Sequence, residues 1–156
     1  MRKAADLLTI GLCVVMLAFF AREYSRPASA PTPTIQDVYI DRAVADFGRT
    51  SKTLILALKT DCVFCQRSAP FYRRLIEHDR PDVQIVVAAH PNDHGIEAYL
   101  ASEGVNPDSV VFVESGALPV RGTPTLLLVD GEGLVTHAWI GLLNADGEAE
   151  VLDAVF

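Results

Sequence analysis

Two cysteines separated by two residues are the part of the sequence best suited to chemistry. Cys62 and Cys65 lie in the segment TDCVFCQRSAP, and Pro70 follows five residues after the second cysteine. Such a pair can hold a metal ion, form a structural disulfide, or exchange electrons with another disulfide. A structural disulfide across so short a loop would stabilise little, because that effect grows with loop length. A zinc site would need two more ligands, and His90 and His94 are the only regularly spaced candidates.

The segments on either side of the cysteines predict a strand followed by a helix. Residues 52–60 are almost continuously apolar, which is typical of a strand buried on both faces. The segment from Cys65 onward then places Phe71 and Leu75 at helical spacing. Cys62 would therefore lie at the amino end of a helix, where unpaired N–H groups and the helix dipole favour the nucleophilic thiolate. Cys65, one turn later, could attack Cys62 in a mixed disulfide and release the product.

The rest of the sequence predicts an α/β fold with a mixed central sheet and helices on both faces. The predicted elements are a short helix within 35–47, a strand at 82–90, a helix within 92–105 capped by Asn92 or Asp93, an edge strand at 109–115, a hairpin at 123–141 and a helix at 144–156. The cysteines then lie at the carboxyl end of a central strand, where open α/β sheets place their working sites.

Together these features resemble the thioredoxin-like superfamily, and in particular the membrane-tethered, TlpA-type thiol–disulfide oxidoreductases of bacteria. The resemblance is carried by the strand, the C-x-x-C pair, the helix with Pro70, and the segment RGTPT before a hairpin. It implies a thioredoxin-like fold over residues 35–156, with no cofactor and no metal. It also implies that Thr123-Pro124 is a cis-proline loop beside the cysteines. The Thr123 backbone would pair with a substrate strand, and Pro124 would keep metal ions away from the thiols.

The sequence departs from thioredoxin at three places. Asp61 stands where thioredoxin has tryptophan, and its carboxylate would either oppose the thiolate or cap the helix. Leu56 stands where thioredoxin has a buried aspartate that helps to deprotonate the second cysteine. Between the cysteines, Val63 and Phe64 form an apolar pair that would either contact a protein partner or cover the end of the helix.

Two basic residues flank the predicted site in the sequence. Lys59 and Arg121 are candidates to offset Asp61 and to hold Cys62 ionised, although either could equally be a solvated surface charge.

The amino terminus predicts export. Arg2 and Lys3 precede an apolar run over residues 7–21, the pattern of a bacterial export signal. We therefore predict a signal-anchor or signal peptide at 1–24, with 4–21 in the inner membrane, and a proline-rich linker at 25–34. Cleavage after Ala30, which would release a soluble domain, is the alternative. Either way the domain at 35–156 would work in the periplasm or another extracytoplasmic compartment.

Composition limits the choice of partners. The formal charge of −7 and the lack of a basic run after the amino terminus argue against nucleic acid. We expect an oxidoreductase that exchanges disulfides with other exported proteins, more as a reductant than an oxidant, and that is served by a membrane redox partner. The rival hypothesis is a binding module without catalytic activity that captures a metal through the same two cysteines.

Overall fold

A mixed five-stranded sheet organises the chain in the computed structural model, which describes residues 35–156 and, before them, Met16 alone. The strands are β1 (Lys52–Ala57), β2 (Val83–Ala89), β3 (Ser109–Phe112), β4 (Thr125–Asp130) and β5 (Val135–Ile140), and the α-helices are α1 (Val63–Glu77), α2 (Ile96–Ser102) and α3 (Ala145–Val155). A 3-10 helix, Phe47–Arg49, precedes β1.

Strand β1 lies at the centre of the sheet, whose order is β3-β2-β1-β4-β5. It runs parallel to β2 and antiparallel to β4. Ala57, the last residue of β1, pairs with Ala88 on one side and with Thr125 on the other. The end of β1, the end of β2 and the start of β4 therefore meet at one edge of the sheet, and the cysteines follow directly from that edge.

Each face of the sheet has its own apolar core, because side chains along a strand alternate between the two faces. Leu54 and Leu56 of β1 pack in the cluster that contains residues of α1, α2 and α3. Ile55 and Ala57 pack in the second cluster, which residues 35–47 and the 3-10 helix cover. Burial on both faces explains why β1 reads as a continuous apolar run.

The predicted helix within 35–47 is wrong. This segment contains two turns and an isolated bridge from Tyr39 to Leu134, and only Phe47 begins a short 3-10 helix. Asp37 has a φ of 67°, outside the range of a right-handed helix. The Ile40 N–H donates to the Gly133 carbonyl at 2.8 Å and the Asp37 N–H to the Val135 carbonyl at 3.1 Å, so backbone groups that a helix would bond internally are bonded to the β4–β5 hairpin.

The other predicted elements form, with one correction to a cap. Helix α2 is shorter than predicted, and neither Asn92 nor Asp93 caps it. Gly95 is its N-cap residue, without a side-chain hydrogen bond. Helix α3 begins as expected, with the Asn144 side chain accepting from the Gly147 N–H.

The predicted membrane segment at 4–21 and the linker at 25–34 lie outside the described residues, except for Met16. Within the part of the chain that the structure describes, no helix has the length and apolar character needed to cross a bilayer.

Candidate active site

Cys62 is the N-cap residue of α1. Its backbone is extended, with φ −97° and ψ 109°, and its sulfur accepts the Cys65 N–H at 3.3 Å. The sulfur thus takes the role that a serine or aspartate oxygen plays at most helix starts. Both cysteines are free thiols, Cys62 partly exposed and Cys65 buried.

The surroundings of Cys62 stabilise its thiolate. Burial of the sulfur opposes ionisation, but hydrogen bonds from the Cys65 thiol and from Thr123 outweigh it, together with the N–H groups of Cys65 and Phe64. The pKa of Cys62 is therefore lowered from its ordinary value. Because the thiolate is the nucleophile, Cys62 is the sulfur prepared to attack.

Cys65 has the opposite character. Its side chain is fully buried in the core beneath α1. Burial in these apolar surroundings, with a further contribution from the hydrogen bond to Cys62, raises the pKa of Cys65 to about 12. The pair therefore divides into an accessible, readily ionised thiol and a buried thiol that keeps its proton.

Thr123 lies directly against the cysteines. The Cys62 thiol, when protonated, donates to the Thr123 carbonyl oxygen at 3.3 Å. The Thr123 side chain, in contrast, favours the ionised form of both Cys62 and Cys65. The Thr123–Pro124 peptide bond is cis. The Gly141 N–H donates to the Pro124 carbonyl at 2.7 Å and attaches the loop to the end of β5.

Of the charged candidates, Lys59 and Asp61 pair with each other beside the site. The Lys59 ammonium is 2.8 Å from a carboxylate oxygen of Asp61, and both side chains are exposed. Their hydrogen bond raises the pKa of Lys59 and lowers that of Asp61. Asp61 does not cap α1, because the Cys62 sulfur fills that role. Arg121 is exposed, and it forms no ion pair within residues 35–156.

The apolar pair between the cysteines faces solvent. Val63 is 58% exposed and Phe64 47% exposed, in the first turn of α1. Of the two roles considered from the sequence, this exposure favours contact with a partner over packing across the helix end.

One positioning contact has no clear signal in the sequence. Asp93, from the loop after β2, accepts the Thr60 N–H at 2.8 Å and the Thr60 hydroxyl at 2.6 Å. The Gln66 side chain donates to the Thr60 carbonyl at 3.1 Å. The segment that carries Cys62 out of β1 is therefore held from two sides. The sequence predicts Asp93 only as a possible cap of the helix that follows it, and not as a partner of Thr60.

The histidines considered as metal ligands do not gather around the cysteines. His90 lies 3.7 Å from the Glu114 carboxylate. Among the described residues, no three or more histidine, cysteine or acidic side chains come together as a metal site.

Sheet order, the C-x-x-C pair at a helix start and the cis-proline loop define a thioredoxin-like fold. Solved structures similar to this chain have that fold. One is the thiol:disulfide interchange protein DsbE from Chlorobium tepidum, at 25% identity and a TM-score of 0.56, with 71% of this chain and 84% of that chain covered. A thiol-disulfide isomerase from Corynebacterium glutamicum matches at 14% identity and a TM-score of 0.56, with 77% of this chain and 91% of that chain covered. StoA from Bacillus subtilis matches at 20% identity and a TM-score of 0.53, with 65% of this chain and 82% of that chain covered. No protein-family model and no curated protein matches the sequence.

Proposed function

We propose that this protein is an exported thiol–disulfide oxidoreductase that acts on disulfides of other exported proteins through Cys62 and Cys65. The observation that carries the proposal is the asymmetry of the two thiols. Cys62 is accessible and has a lowered pKa, whereas Cys65 is buried and has a raised one. A structural disulfide has no need of such a difference, but a nucleophile and a resolving thiol do.

The reaction proceeds in two exchanges. The Cys62 thiolate attacks one sulfur of a client disulfide, forming a mixed disulfide, and the other client sulfur leaves as a thiolate that takes up a proton. Cys65 then gives up its proton and attacks the Cys62 sulfur. The bond to the client breaks, and the second client sulfur leaves with its electron pair. Two electrons have passed to the client, and a Cys62–Cys65 disulfide remains for a membrane redox partner to reduce.

Client binding is assigned to the surface around Cys62. We propose that the Thr123 backbone next to Pro124 pairs with an extended client segment, a form of strand addition; its position against Cys62 and its cis bond support this role. Val63 and Phe64 offer exposed apolar contacts on the helix side of the sulfur.

We propose reduction as the physiological direction. A strong oxidant needs a reduced form that is strongly stabilised, usually through a very stable thiolate. Here the Cys62 thiolate is stabilised by hydrogen bonds of neighbouring groups, and the cation nearest in sequence, Lys59, is already paired with Asp61. Anchoring by residues 4–21, or release after Ala30, rests on the sequence of the amino terminus.

The reduction potential of the pair tests this proposal. The full chain carrying Cys13→Ser, which leaves only Cys62 and Cys65, would be equilibrated in graded thiol and disulfide buffers. A potential near that of thioredoxin, about −270 mV, is the expected result. A potential near about −120 mV would reverse the proposed direction. If no Cys62–Cys65 disulfide forms in any buffer, the redox function itself is wrong. One metal ion per chain, lost on Cys62→Ser, would then indicate a metal-binding module.

A further inference from the structure

Two tyrosine hydroxyls lie buried in the core that contains Cys65. Tyr72, on α1, is 1% exposed, and Tyr99, on α2, is 9% exposed; both belong to the same apolar cluster as Cys65. Within residues 35–156 neither hydroxyl has a hydrogen-bond partner. A buried hydroxyl without a partner is costly and uncommon, so two of them around one thiol call for a physical explanation.

Helical geometry directs the Tyr72 hydroxyl toward Cys65. Cys65, Ser68 and Tyr72 follow one another at spacings of three and four residues and therefore share one face of α1. Long side chains on a helix lean toward its amino end, here toward Ser68 and Cys65. Ser68 is close enough to act on the pKa of Tyr72 as a hydrogen-bonding group, although the two hydroxyls do not have the geometry of a formed bond, and Cys65 acts on the same pKa through its charge. Ser68 itself donates to the Phe64 carbonyl at 2.9 Å, so its own proton is engaged elsewhere.

The surroundings of Cys65 are otherwise poor in groups that could stabilise a thiolate. Two groups favour its ionised form, the Lys59 backbone and the Thr123 side chain, whereas the Cys62 side chain opposes ionisation. Strand β1 presents the fully buried Leu56 on this face, the position that carries a carboxylate in thioredoxin.

We propose that Tyr72, with Tyr99 beside it, is a positioning residue for the second exchange, donating a hydrogen bond to the Cys65 sulfur, directly or through one water, as that sulfur becomes a thiolate. This inference rests on the proposed function. In the step, the Cys65 proton passes to water, the Cys65–Cys62 bond forms and the Cys62–client bond breaks. The departing client thiolate takes up a proton, and both tyrosines keep theirs. Burial raises the pKa of Tyr72, and it raises the pKa of Tyr99 to about 12, so both hydroxyls remain donors.

The two exchanges can be timed separately with one probe, the symmetric disulfide of thionitrobenzoate. In the full chain carrying Cys13→Ser, attack by Cys62 releases one coloured thiolate and attack by Cys65 releases the second. For Tyr72→Phe we expect an unchanged first phase and a second phase slowed by about threefold near neutral pH. Loss of a hydrogen bond to a charged sulfur lowers the ionisation constant of Cys65 by about tenfold. The greater nucleophilicity of the more basic thiolate recovers part of that loss.

Matched variants separate this role from a packing role. Tyr39→Phe alters an exposed tyrosine and should leave both phases unchanged. If Tyr72 only fills space, its replacement loosens the core, admits water and lowers the pKa of Cys65, which speeds the second phase. That acceleration would overturn the inference. So would an unchanged second phase in Tyr72→Phe, Tyr99→Phe and the double variant, with the pH profile of that phase unmoved.

Failure of the proposed function would look different. In that case the unaltered Cys65 would release no second thiolate at all, and the inference would be lost together with the function. A second release in the parent chain with no dependence on either tyrosine would leave the function standing and remove the inference alone.

Discussion

Replacing Thr123 by valine should weaken the nucleophile without moving it. Valine keeps the shape of the side chain and removes the hydroxyl that favours the Cys62 thiolate. A hydrogen bond to a charged group contributes about 1.5–3 kcal/mol. Because Cys62 is partly exposed, solvent screens this interaction, and we take a reduced contribution of about 1 kcal/mol. The variant should therefore ionise Cys62 with a constant about fivefold lower.

Alkylation by iodoacetamide at a series of pH values measures this effect directly, because the rate follows the fraction of Cys62 present as thiolate. The large difference between the pKa values of the two cysteines keeps Cys65 silent over the useful range. Below the pKa of both proteins, Thr123→Val should react about two- to threefold more slowly at a given pH, because the more basic thiolate is more nucleophilic and recovers part of the fivefold loss in ionisation. Above it, both proteins are fully ionised, and the variant should react about twofold faster because its thiolate is more basic.

A matched threonine provides the control. Thr53 is fully buried in β1, and Thr53→Val removes a hydroxyl at the opposite end of the strand from Cys62. The Thr53→Val variant should show the same dependence of the Cys62 alkylation rate on pH as the parent protein. An unmoved or lowered Cys62 pKa in Thr123→Val, or an equal shift in Thr53→Val, would refute the assignment of the Thr123 hydroxyl to thiolate stabilisation.

Three further predictions concern stability. Thr53→Val should raise the free energy of unfolding in urea by about 1 kcal/mol, because the buried Thr53 hydroxyl has no partner in the described chain; a loss of stability would contradict this. Asp93→Ala removes both hydrogen bonds to Thr60 and should lower the free energy of unfolding in urea by about 2 kcal/mol. Asp93→Asn keeps one acceptor oxygen, and its stability should lie between those of the parent and Asp93→Ala. The reduced protein should lose stability as the pH rises from about 8.5 to 10, by at most about 1.4 kcal/mol per pH unit, because unfolded Cys65 releases a proton that the folded state retains. The disulfide form, with no thiol at Cys65, should lack that slope between about pH 8.5 and 10; equal slopes in urea titrations would contradict the assignment.

The central part of the site could be read from the sequence because its signals are local. The apolar run of β1, the cysteine spacing and the periodicity after Cys65 all act within about twenty residues, and together they place Cys62 at the start of α1. The cis bond at Thr123–Pro124, in contrast, was expected only from the resemblance to thioredoxin-like proteins.

The remaining features depend on contacts between distant segments. Residues 35–47 have apolar spacing compatible with a helix, yet their backbone bonds to the turn around Gly133, almost a hundred residues later. Asp93 has the composition of a helix cap and instead binds Thr60. The partners, Gly133 and Thr60, lie outside these segments, so the local sequence could not predict the contacts. Tertiary contacts overrode the local preference for a helix or a helix cap.

The Cys62 sulfur serves both helix capping and redox chemistry in this protein. The redox state of the sulfur therefore changes the cap, and the cap changes the redox equilibrium. The Cys62 sulfur that accepts the Cys65 N–H is also the sulfur that forms every disulfide in the cycle. As a thiolate it is a strong acceptor for the first turn of α1, and as a disulfide sulfur it is a weak one. By linkage, the free energy that the cap adds to the reduced helix is the same free energy that favours reduction. The amide of Cys65 should therefore exchange its hydrogen more slowly in the reduced protein than in the oxidised one, and this backbone group becomes a reporter of redox state.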